Sequence, residues 1–390
     1  MIEYIFIIFF WILIFLIFNS FFIYPLLLLL FSKLSKKTAT YNNQSHSLPI
    51  SVLISAYNEE KVIENRIINI INQDYDLGKI EILVGSDCST DKTNTILKKM
   101  SEQIPQLKIF LFNVRMGKAG VLNELVKYSS NDILVFSDAN TEFDSYALKN
   151  LNKHFSNPAI GGVCGRLILQ EENHHKLKGI EEKKYWEYET FIKKAEGKLG
   201  ILIGANGGIL AIRKELFETI PITKPVTDDL FISLSVLKKG YKFIYEPDAI
   251  AYETIGRDIL TEFNRKVRFS ATNIQTITFF KSLLFNINPF ISYAFWSHKI
   301  IRWFLPVILI LILIINLYLI NKNIVYIYTF YTQIIFYLAG ITGYILNKLK
   351  VRIGFLSLIA YFLITNIALL FGMVKFILKK HSVIWQSTPR

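Results

Sequence analysis

The sequence is poor in the residues and motifs that several common classes of site require. Its two cysteines, Cys88 and Cys164, lie far apart and outside any metal-ligand spacing, so the sequence predicts neither a disulfide framework nor a zinc site. No G-x-G-x-x-G or G-x-x-x-x-G-K-S/T pattern follows the first predicted strand. This argues against a dinucleotide-binding fold and against a P-loop nucleoside triphosphatase.

Acidic residues are the scarcer charge, with 31 Asp and Glu against 44 Lys and Arg and a formal net charge of +13. No zinc-finger spacing, basic helix or aromatic RNA-binding signature accompanies this charge, so we predict no nucleic-acid partner. Long apolar runs flank the chain instead. The positive charge therefore fits attraction to an anionic membrane leaflet, and membrane lipids are expected partners.

Apolar residues make up 52% of the 390 positions, too many for one ordinary soluble domain. The run from about 4 to 31 is long enough to cross a bilayer core of about 30 Å. It begins after the acidic Glu3 and is followed by Lys33, whereas a signal peptide carries its positive charge in front. We expect a retained anchor, with the side that follows it cytoplasmic.

Further apolar runs lie at about 303–320, 324–346 and 353–377. Lys299 and Arg302 precede the first run and indicate a cytoplasmic position, and the adjacent His298 is expected at the surface or in the membrane interface. Three full spans would place the basic tail outside, against the positive-inside rule. The number of C-terminal spans and the side of the C-terminus therefore stay open.

The middle of the chain has an α/β pattern. Strands are predicted at 49–56, 80–86, 107–112 and 133–137. Helices are predicted between them, and the first is expected to open at Glu59 and Glu60. Strands that alternate with helices indicate βαβ units and a largely parallel sheet.

Polar side chains follow these strands where each should end: Tyr57 and Asn58, then Asp87, then Asp138 and Asn140. Ligands of open α/β sheets bind outside the carboxyl ends of the strands, so a nucleotide-sized site is predicted at this edge. Without a P-loop, the simplest way to neutralise its phosphates is Mg²⁺ or Mn²⁺ on Asp138. The competing interpretation is that these are ordinary strand-end turns.

The motifs around these strand ends resemble those of family 2 glycosyltransferases. They are S-A-Y-N-E-E (55–60), S-D-C-S-T-D (86–91), G-K-A-G-V-L-N (117–123), S-D-A-N (137–140), G-A-N-G-G-I-L-A-I-R (204–213), V-T-D-D-L-F-I-S-L (226–234) and Y-K-F-I-Y-E-P-D-A-I (241–250). The resemblance covers about residues 48 to 270 and is greatest to membrane-anchored cellulose, hyaluronan and poly-N-acetylglucosamine synthases. It implies an α/β GT-A fold, a Rossmann-like nucleotide-diphospho-sugar transferase domain flanked by transmembrane helices.

The resemblance also implies which residues bind the donor. For the nucleotide they are Ala56, Tyr57, Glu59, Asp87 and Lys118, and for the sugar pocket Gly204, Asn206 and Gly207. Asp138 matches the first acid of the family's D-x-D, the metal ligand. Asn140 replaces the second acid; because an amide is a weaker ligand than a carboxylate, Asn140 is expected to contact the donor.

A pair of adjacent acids, Asp228 and Asp229, precedes an apolar helical segment. Inverting glycosyl transfer needs a general base that takes the proton of the acceptor hydroxyl. The resemblance gives this role to Asp229, with Asp228 beside it in the catalytic group. The alternative is a helix N-cap followed by a first-turn acid.

The segment F-N-R-K-V-R-F-S (263–270) falls where processive members of the family carry Q-x-x-R-W. Arg265 replaces the glutamine, Arg268 keeps the arginine and Phe269 replaces the tryptophan. Arg268 is expected to stabilise the leaving nucleoside diphosphate, and Arg265 to contact the donor. The two replacements leave processivity open, and a basic interfacial helix on lipid phosphates is the alternative.

We therefore expect an integral membrane glycosyltransferase of the cell inner or plasma membrane, with a cytoplasmic catalytic domain. It would move a sugar with inversion from a nucleotide sugar, in the first place a UDP-sugar, to a polysaccharide or a lipid-linked acceptor, with Mg²⁺ or Mn²⁺ and with or without a partner subunit. An inactive sugar-nucleotide-binding subunit of an export complex and a transporter with a regulatory domain are the alternatives.

The expected divisions of the chain are an N-terminal anchor (1–33), a linker (34–47), the catalytic domain (48–262), interfacial helices (263–300), C-terminal transmembrane segments (301–378) and a basic tail (379–390).

Overall fold

The computed structural model describes residues 1–34, 47–170, 180–254 and 259–380. The expected linker at 34–47 and the basic tail at 379–390 lie for the most part outside these residues. The side chains of 180–185 and 259–261 are likewise not described.

The strands are β1 Ile50–Ala56, β2 Ile80–Asp87, β3 Leu107–Phe112, β4 Ile133–Asp138, β5 Thr141–Phe143, β6 Ile160–Gln170, β7 Leu210–Arg213 and β8 Lys242–Thr254. The four strands predicted from the N-terminal half of this region are confirmed. Within the described residues they join one sheet in the order β3-β2-β1-β4-β7-β6-β8-β5. The first four are parallel, but β7 is antiparallel to both β4 and β6. The expectation of a largely parallel sheet therefore holds for one half, and the whole sheet is mixed.

The α-helices of the described residues are α1 Ile2–Phe18, α2 Tyr24–Leu34, α3 Ile63–Ile71, α4 Thr93–Gln103, α5 Gly117–Tyr128, α6 Ala147–Asn152, α7 Ile180–Leu199, α8 Asp228–Lys238, α9 Ile259–Phe279, α10 Pro289–Ala294, α11 Ile301–Trp303, α12 Leu305–Leu319, α13 Ile324–Lys348 and α14 Gly354–Ile377. Helix α3 begins four residues after Glu59, so the prediction that Glu59 and Glu60 open it is wrong. The Glu59 carbonyl instead accepts hydrogen bonds from the amides of Val62 and Ile63, which form the turn that leads into the helix.

Alternate residues of β1 pack on opposite faces of the sheet, as the pleat requires. Ile50, Val52 and Ile54 belong to the core that holds the apolar face of α3, whereas Leu53 belongs to the core that holds α5. This second core continues into the terminal helices, where it includes Tyr24. The catalytic domain and the anchor therefore share one apolar core.

The N-terminal helix is continuous from Ile2 to Leu34, with a π-helical segment at Asn19–Ile23 between α1 and α2. At 1.5 Å per residue it is about 50 Å long, which exceeds a bilayer core of about 30 Å. Its first part packs on α12 and its second part on α7. The α2 part therefore lies along the domain that contains the sheet.

Among the described helices, those long and apolar enough to cross a membrane are the N-terminal helix, α13 and α14. Pro289–Trp303 and Leu305–Leu319 together would make a fourth, but they meet at a bend of 68°. The last two predicted C-terminal runs are thus confirmed as membrane-length helices. The first is a 15-residue helix after a bend, a shape that suits a broken span or a re-entrant segment.

Helix α9, which carries the arginines of segment 263–270, packs along α14. The Ser270 hydroxyl donates a 2.7 Å hydrogen bond to the Leu369 carbonyl. The contact is close because Gly372 has no side chain; a Cβ there would lie 2.4 Å from the Val267 carbonyl oxygen and from the Ser270 Cβ. The fold therefore fixes Arg268 relative to a helix of membrane-spanning length.

Candidate functional site

The first two strand-end loops, after β1 and β2, are tied to each other. Asn58, which has a positive φ of 54°, accepts a 2.8 Å hydrogen bond from the Thr90 amide at its Oδ1. The Asn58 amide in turn donates to the Ser89 hydroxyl. Asp91 accepts from the amide of Glu60 and from that of Thr93. The S-T-D part of the second motif thus shapes the first loop.

Asp87, at the end of β2, is almost completely buried, with 2% of its surface exposed. Its carboxylate accepts hydrogen bonds from the Met116 amide at 2.7 Å, the Gly117 amide at 3.0 Å and the Arg115 Nε at 3.1 Å. The Arg115 guanidinium lies over the Tyr57 ring, 3.3 Å from its centroid. Both Asp87 oxygens therefore hold the loop that leads into α5, and a direct contact of Asp87 with the nucleotide stays a prediction.

Lys118, the second residue of α5, lies between two of the expected site acids. Its Nζ is 2.7 Å from Asp138 Oδ1 and 2.7 Å from Asp228 Oδ2. Burial alone would lower the pKa of Lys118, but the two carboxylates outweigh burial and raise it. The contact joins the end of β4, the start of α5 and the start of α8. We call Lys118, Asp138, Asp228 and Asp229 the acid cluster.

The two adjacent acids of this cluster occupy the first turn of α8, after the N-cap residue Thr227, whose side chain makes no capping bond. Burial raises the pKa of Asp228, but Lys118 reverses this and lowers it. Burial and the Asp228 carboxylate together raise the pKa of Asp229 to about 6. Asp228 is thereby held ionised, while the pKa of Asp229 is brought close to neutral pH. This is the pattern expected of a general base and its charged neighbour.

The loop that contains Gly204, Asn206 and Gly207 closes over Asp229. A Cβ on Gly207 would lie 3.3 Å from Asp229 Oδ2, so the glycine permits the close approach. Gly204 has a φ of +91°, which favours glycine. Asn206 is only 6% exposed; its Nδ2 donates to the Gly165 carbonyl at 2.8 Å, and its Oδ1 accepts from Lys193. The structure therefore gives Asn206 a loop-shaping contact, and a contact with the sugar stays a prediction.

Arg268 faces the acid cluster from α9. Burial and the charge of Arg265 lower the pKa of Arg268, while the nearby Asp228 carboxylate raises it. Arg265 itself pairs with Glu262, with Nε and Oε2 2.7 Å apart. Arg268 thus lies near Asp228, whereas Arg265 forms an ion pair with Glu262 on its own helix.

Asn140 follows β4 and is turned toward the other end of the sheet. Its Nδ2 donates a 3.2 Å hydrogen bond to Glu253 Oε1 on β8. Ala56 and Glu59, which flank the β1 loop, are buried. The expected donor contacts of all three stay predictions.

Arg66, on α3, is a buried charge near the acid cluster. None of the sequence motifs includes this arginine. Its Nη2 donates to the Ser137 hydroxyl at 2.8 Å, and its guanidinium lies 4.0 Å from the centroid of the Phe143 ring. Burial lowers its pKa to about 9, against the opposing charges of Asp138 and Glu142. The one available signal is an arginine on the apolar face of an amphipathic helix.

A buried polar cluster joins α7 to the anchor. Its members are Glu189, Glu196, His298 and Arg302, with Tyr24 at one end, and we call it the anchor cluster. The two ring nitrogens of His298 lie 2.7 Å from Glu196 Oε1 and 3.0 Å from Glu189 Oε2. The expectation that His298 lies at the surface or in the interface is wrong, because only 1% of it is exposed.

Arg302 completes the anchor cluster and ties it to the N-terminal helix. Its Nη1 is 2.9 Å from Glu189 Oε1, and its Nη2 donates to the Ser20 carbonyl at 3.1 Å. Asn19 Nδ2 donates to the Ser297 hydroxyl at 3.0 Å, so the π-helical segment Asn19–Ile23 meets a second one at Phe295–Ile300. The positive-inside rule predicts only the side of the membrane for Arg302, and the structure adds that its side chain is 11% exposed and held in an ion pair.

The acids at the strand ends fit a metal ion that takes few protein ligands. Among the described residues, no group of three or more His, Cys, Asp or Glu side chains could hold a metal ion on its own. Mg²⁺ and Mn²⁺ commonly take one or two carboxylates and complete their shell with substrate phosphates and water. The Asp138 side chain is 30% exposed and already attracts a cation, the Lys118 ammonium. Its chemistry is that of such a ligand.

The glycosyl transferase family 2 model matches residues 51–220. The poly-beta-1,6-N-acetyl-D-glucosamine synthase of Staphylococcus aureus (strain COL) is 26% identical over 224 residues, which are 57% of this chain and 53% of the relative. The synthase of Staphylococcus epidermidis is 24% identical over 227 residues, with the same shares. The chain thus spans about half the length of the curated relatives it matches.

Among solved structures, a mannosyltransferase from Pyrobaculum calidifontis in complex with GDP-Man and Mn²⁺ has the same fold. It aligns with a TM-score of 0.70 at 20% identity, over 96% of this chain and 100% of that one. The agreement includes the helices outside the sheet, since the alignment leaves little of either chain uncovered.

Proposed function

We propose that this chain transfers a sugar from a nucleotide sugar to an acceptor at the membrane, with inversion. The match of the glycosyl transferase family 2 model to residues 51–220, the GT-A fold and the membrane-length helices at the termini support this. The acid cluster is the observation that carries this proposal. It brings Asp138, Lys118 and the adjacent Asp228 and Asp229 together, although they come from three distant motifs.

In this proposal Asp229 is the general base. The acceptor O–H bond breaks and its proton passes to the Asp229 carboxylate, while the acceptor oxygen forms a bond to the anomeric carbon. The bond from that carbon to the phosphate oxygen breaks, and its electron pair leaves with the nucleoside diphosphate. The raised pKa of Asp229 suits a base that must both accept and release a proton near neutral pH.

The remaining residues of the acid cluster, together with Arg268, would bind the metal ion and the negatively charged phosphates of the donor. Asp138 would hold Mg²⁺ or Mn²⁺ together with the donor phosphates; when bound, the ion neutralises negative charge on the leaving group. Lys118 and Arg268 would pair with the same phosphates, since both already face the acids. Asp228 holds Lys118 in place. Manganese in the Pyrobaculum calidifontis complex supports a divalent ion here.

The donor nucleotide would lie on the loops after β1 and β2. The proposed contacts are Ala56, Tyr57, Glu59, Asp87 and Asn140, with Arg265 at the far side and Gly204, Asn206 and Gly207 around the sugar. The stacked pair of Tyr57 and Arg115 gives this surface an aromatic and a cationic face, which suits a base and its phosphates. A UDP-sugar is proposed because the matched synthases are named for N-acetylglucosamine polymers.

We also propose the division into anchor (1–33), catalytic domain (48–262), interfacial helices (263–300) and C-terminal membrane segments (301–378), with the catalytic domain cytoplasmic. The packing of α9 on α14 supports an acceptor site close to the membrane. A polysaccharide or a lipid-linked acceptor would both reach such a site. A partner subunit is compatible with it.

The test uses the full chain purified in detergent, with Mn²⁺ or Mg²⁺ and a panel of UDP- and GDP-sugars, and follows release of the nucleoside diphosphate. We expect release from one donor, abolished in Asp229→Asn and in Asp138→Ala. Nucleotide binding without release from any donor, even with native lipid extract present, would overturn the proposal in favour of an inactive binding subunit.

A further inference from the structure

The helix that carries the two adjacent acids is held at its start by a second helix. Thr227 is the N-cap residue of α8, and its carbonyl accepts a 2.8 Å hydrogen bond from the Phe231 amide. An N-cap threonine ordinarily uses its hydroxyl to accept from an amide of the first turn. The Thr227 hydroxyl bonds to α9 instead, where it donates to Asn273 Oδ1 at 2.7 Å. The N-cap of α8 is therefore tied to α9.

Two threonines of α9 complete this contact. The hydroxyl oxygens of Thr227 and Thr272 are 2.7 Å apart. The Thr227 amide donates a 3.1 Å hydrogen bond to the Thr276 hydroxyl, which in turn donates to the Thr272 carbonyl at 2.7 Å. Thr272 is 7% exposed and Thr276 is fully buried. Buried hydroxyls thus fix both the backbone and the side chain of Thr227, and we call Thr227, Thr272 and Thr276 the threonine contact.

The two acids of α8 follow the threonine contact directly in the chain. Asp228 and Asp229 are the next two residues after Thr227, so they move with it. Asp229 Oδ1 accepts a 2.6 Å hydrogen bond from the Leu230 amide, and the Ser233 hydroxyl, one turn later, donates to the Asp229 carbonyl at 2.9 Å. The position of the Asp229 carboxylate therefore depends on where the first turn of α8 lies.

Helix α9 is itself held on two sides. Arg268, Thr272 and Thr276 are spaced four residues apart and therefore share one face of the helix. This face places Arg268 near Asp228 and fixes the start of α8. Ser270, on another face, donates its hydroxyl to a carbonyl of α14. The first turn of α8 is thus connected through α9 to a helix of membrane-spanning length.

We propose that the threonine contact positions Asp229 for proton abstraction, so that Thr227, Thr272 and Thr276 are positioning residues of the sugar transfer. A general base must lie within hydrogen-bond reach of the proton that it takes, and a small displacement lowers the rate strongly. Hydroxyls fix this position without adding a charge to the acid cluster. The proposal rests on the proposed function and adds to its site two residues of α9 that lie beyond the segment 263–270.

The test separates kcat from KM on the full chain in detergent, with UDP-sugars and Mn²⁺. Replacing threonine by valine nearly keeps the shape of the side chain and removes the hydroxyl. We expect Thr227→Val to lower kcat about tenfold and to change donor KM by less than about twofold, because a displaced base slows the chemical step and leaves donor binding intact. Thr272→Val and Thr276→Val should lower kcat less, since each removes one bond of the contact. Thr227→Ser keeps the hydroxyl and should retain most of the kcat.

Two controls separate positioning of the base from helix packing. Thr278→Val, on the exposed side of α9, removes a hydroxyl that donates to the Gln275 carbonyl of the same helix, and its kcat should match the wild type. In the Asp229→Asn background, Thr227→Val should change the residual rate by less than about twofold, because the group that it positions can no longer accept a proton. An equal loss in both backgrounds would overturn the proposal, since Thr227 would then act independently of Asp229.

Hydrogen exchange decides the case in which no turnover is seen. The amides of Leu230 and Phe231 are bonded to Asp229 Oδ1 and to the Thr227 carbonyl, so their exchange reports whether the first turn of α8 stays in place. Mass spectrometry of a peptide that covers 228–231 should show several-fold faster exchange in Thr227→Val and wild-type exchange in Thr278→Val. Equal exchange in the wild type and in Thr227→Val overturns the proposal whatever the enzymatic result. Absence of release from every donor by the wild type would instead overturn the proposed function, which the exchange measurement does not require.

Discussion

The acid cluster and the anchor cluster are both built from paired charges, yet they differ in how far these charges are exposed. In the acid cluster one lysine lies between two partly exposed carboxylates, and an adjacent acid has a raised pKa. In the anchor cluster Glu189 pairs with Arg302 and His298, Glu196 pairs with His298, and the His298 side chain is fully enclosed. In the proposed function the first arrangement exchanges a proton and a cation with the substrate. The second is enclosed, and its contacts join α7 to the N-terminal helix and to the segment before α12.

The largest expected effect comes from the base of the acid cluster. Asp229→Asn keeps the side-chain shape but cannot accept a proton, so we expect kcat to fall by about 10³-fold, within the range for general-base removal. Donor KM and the thermal unfolding midpoint should stay close to the wild type. Steady-state kinetics and a melting curve on the same preparation check this. A loss of donor binding together with kcat would mean that Asp229 belongs to the donor site instead.

The matching change in the anchor cluster should act on stability. Glu189→Gln leaves Arg302, Lys299 and His298 with one carboxylate fewer, and breaking such a buried pair costs about 3–5 kcal/mol. We expect a lower unfolding midpoint in the same detergent, with donor KM unchanged for the fraction that stays folded. Glu187→Gln, an exposed acid on the same helix, is the control and should unfold like the wild type. Equal unfolding midpoints for the two variants would contradict a structural role for the cluster.

A third variant tests whether the packing of α9 on α14 positions Arg268 at the acid cluster. Gly372→Leu would place a side chain within contact of Val267 and Ser270, and overpacking of this kind costs roughly 1–3 kcal/mol. Because α9 carries Arg268, we expect kcat to fall along with the melting midpoint. Gly354→Leu is the comparison, since a Cβ at Gly354 has nothing within 4 Å. If kcat survives while stability falls, the packing on α14 does not position Arg268.

The smallest expected effect is a shift of a pH profile. Asp229 must be ionised to act as a base, so activity should be full above its raised pKa and should fall as the pH drops through about 6. Asp228→Asn removes the neighbouring negative charge and should lower the pKa of Asp229, which moves the acid limb of kcat/KM to lower pH. If the low-pH side of the kcat/KM profile does not move in Asp228→Asn, a group other than Asp229 titrates there. The Glu189→Gln variant should leave the midpoint of this low-pH side unchanged.

The same comparison separates what sequence can reveal from what it cannot. Asp138, Asp228 and Asp229 lie at the ends of predictable strands and helices within recognisable motifs, so their convergence follows from the fold. The ion pairs of Lys118 with Asp138 and Asp228 were not predictable. The motif places Lys118 near the nucleotide, whereas the structure places it between these two acids. Arg66 and Arg115 were missed because their roles depend on a neighbour more than 25 positions away.

The anchor cluster was missed for a related reason. His298 and Arg302 stand beside an apolar run, so the sequence predicts a surface or interfacial position for His298 and the cytoplasmic side for Arg302. Their partners Glu189 and Glu196 lie on α7, about a hundred positions earlier in the chain. Only the packing of the anchor against the catalytic domain brings these charges together, and that packing has no local signature.

The length of the N-terminal helix has a mechanical consequence. A continuous helix of 33 residues is a rigid post of about 50 Å, of which a bilayer core accounts for about 30 Å. The remaining part packs on α7, so the N-terminal helix joins the membrane-length segment directly to the domain that contains the sheet. In the proposed function this packing would hold the acid cluster at a fixed distance from the bilayer. A membrane-tethered acceptor would then have to present its reacting end at that distance.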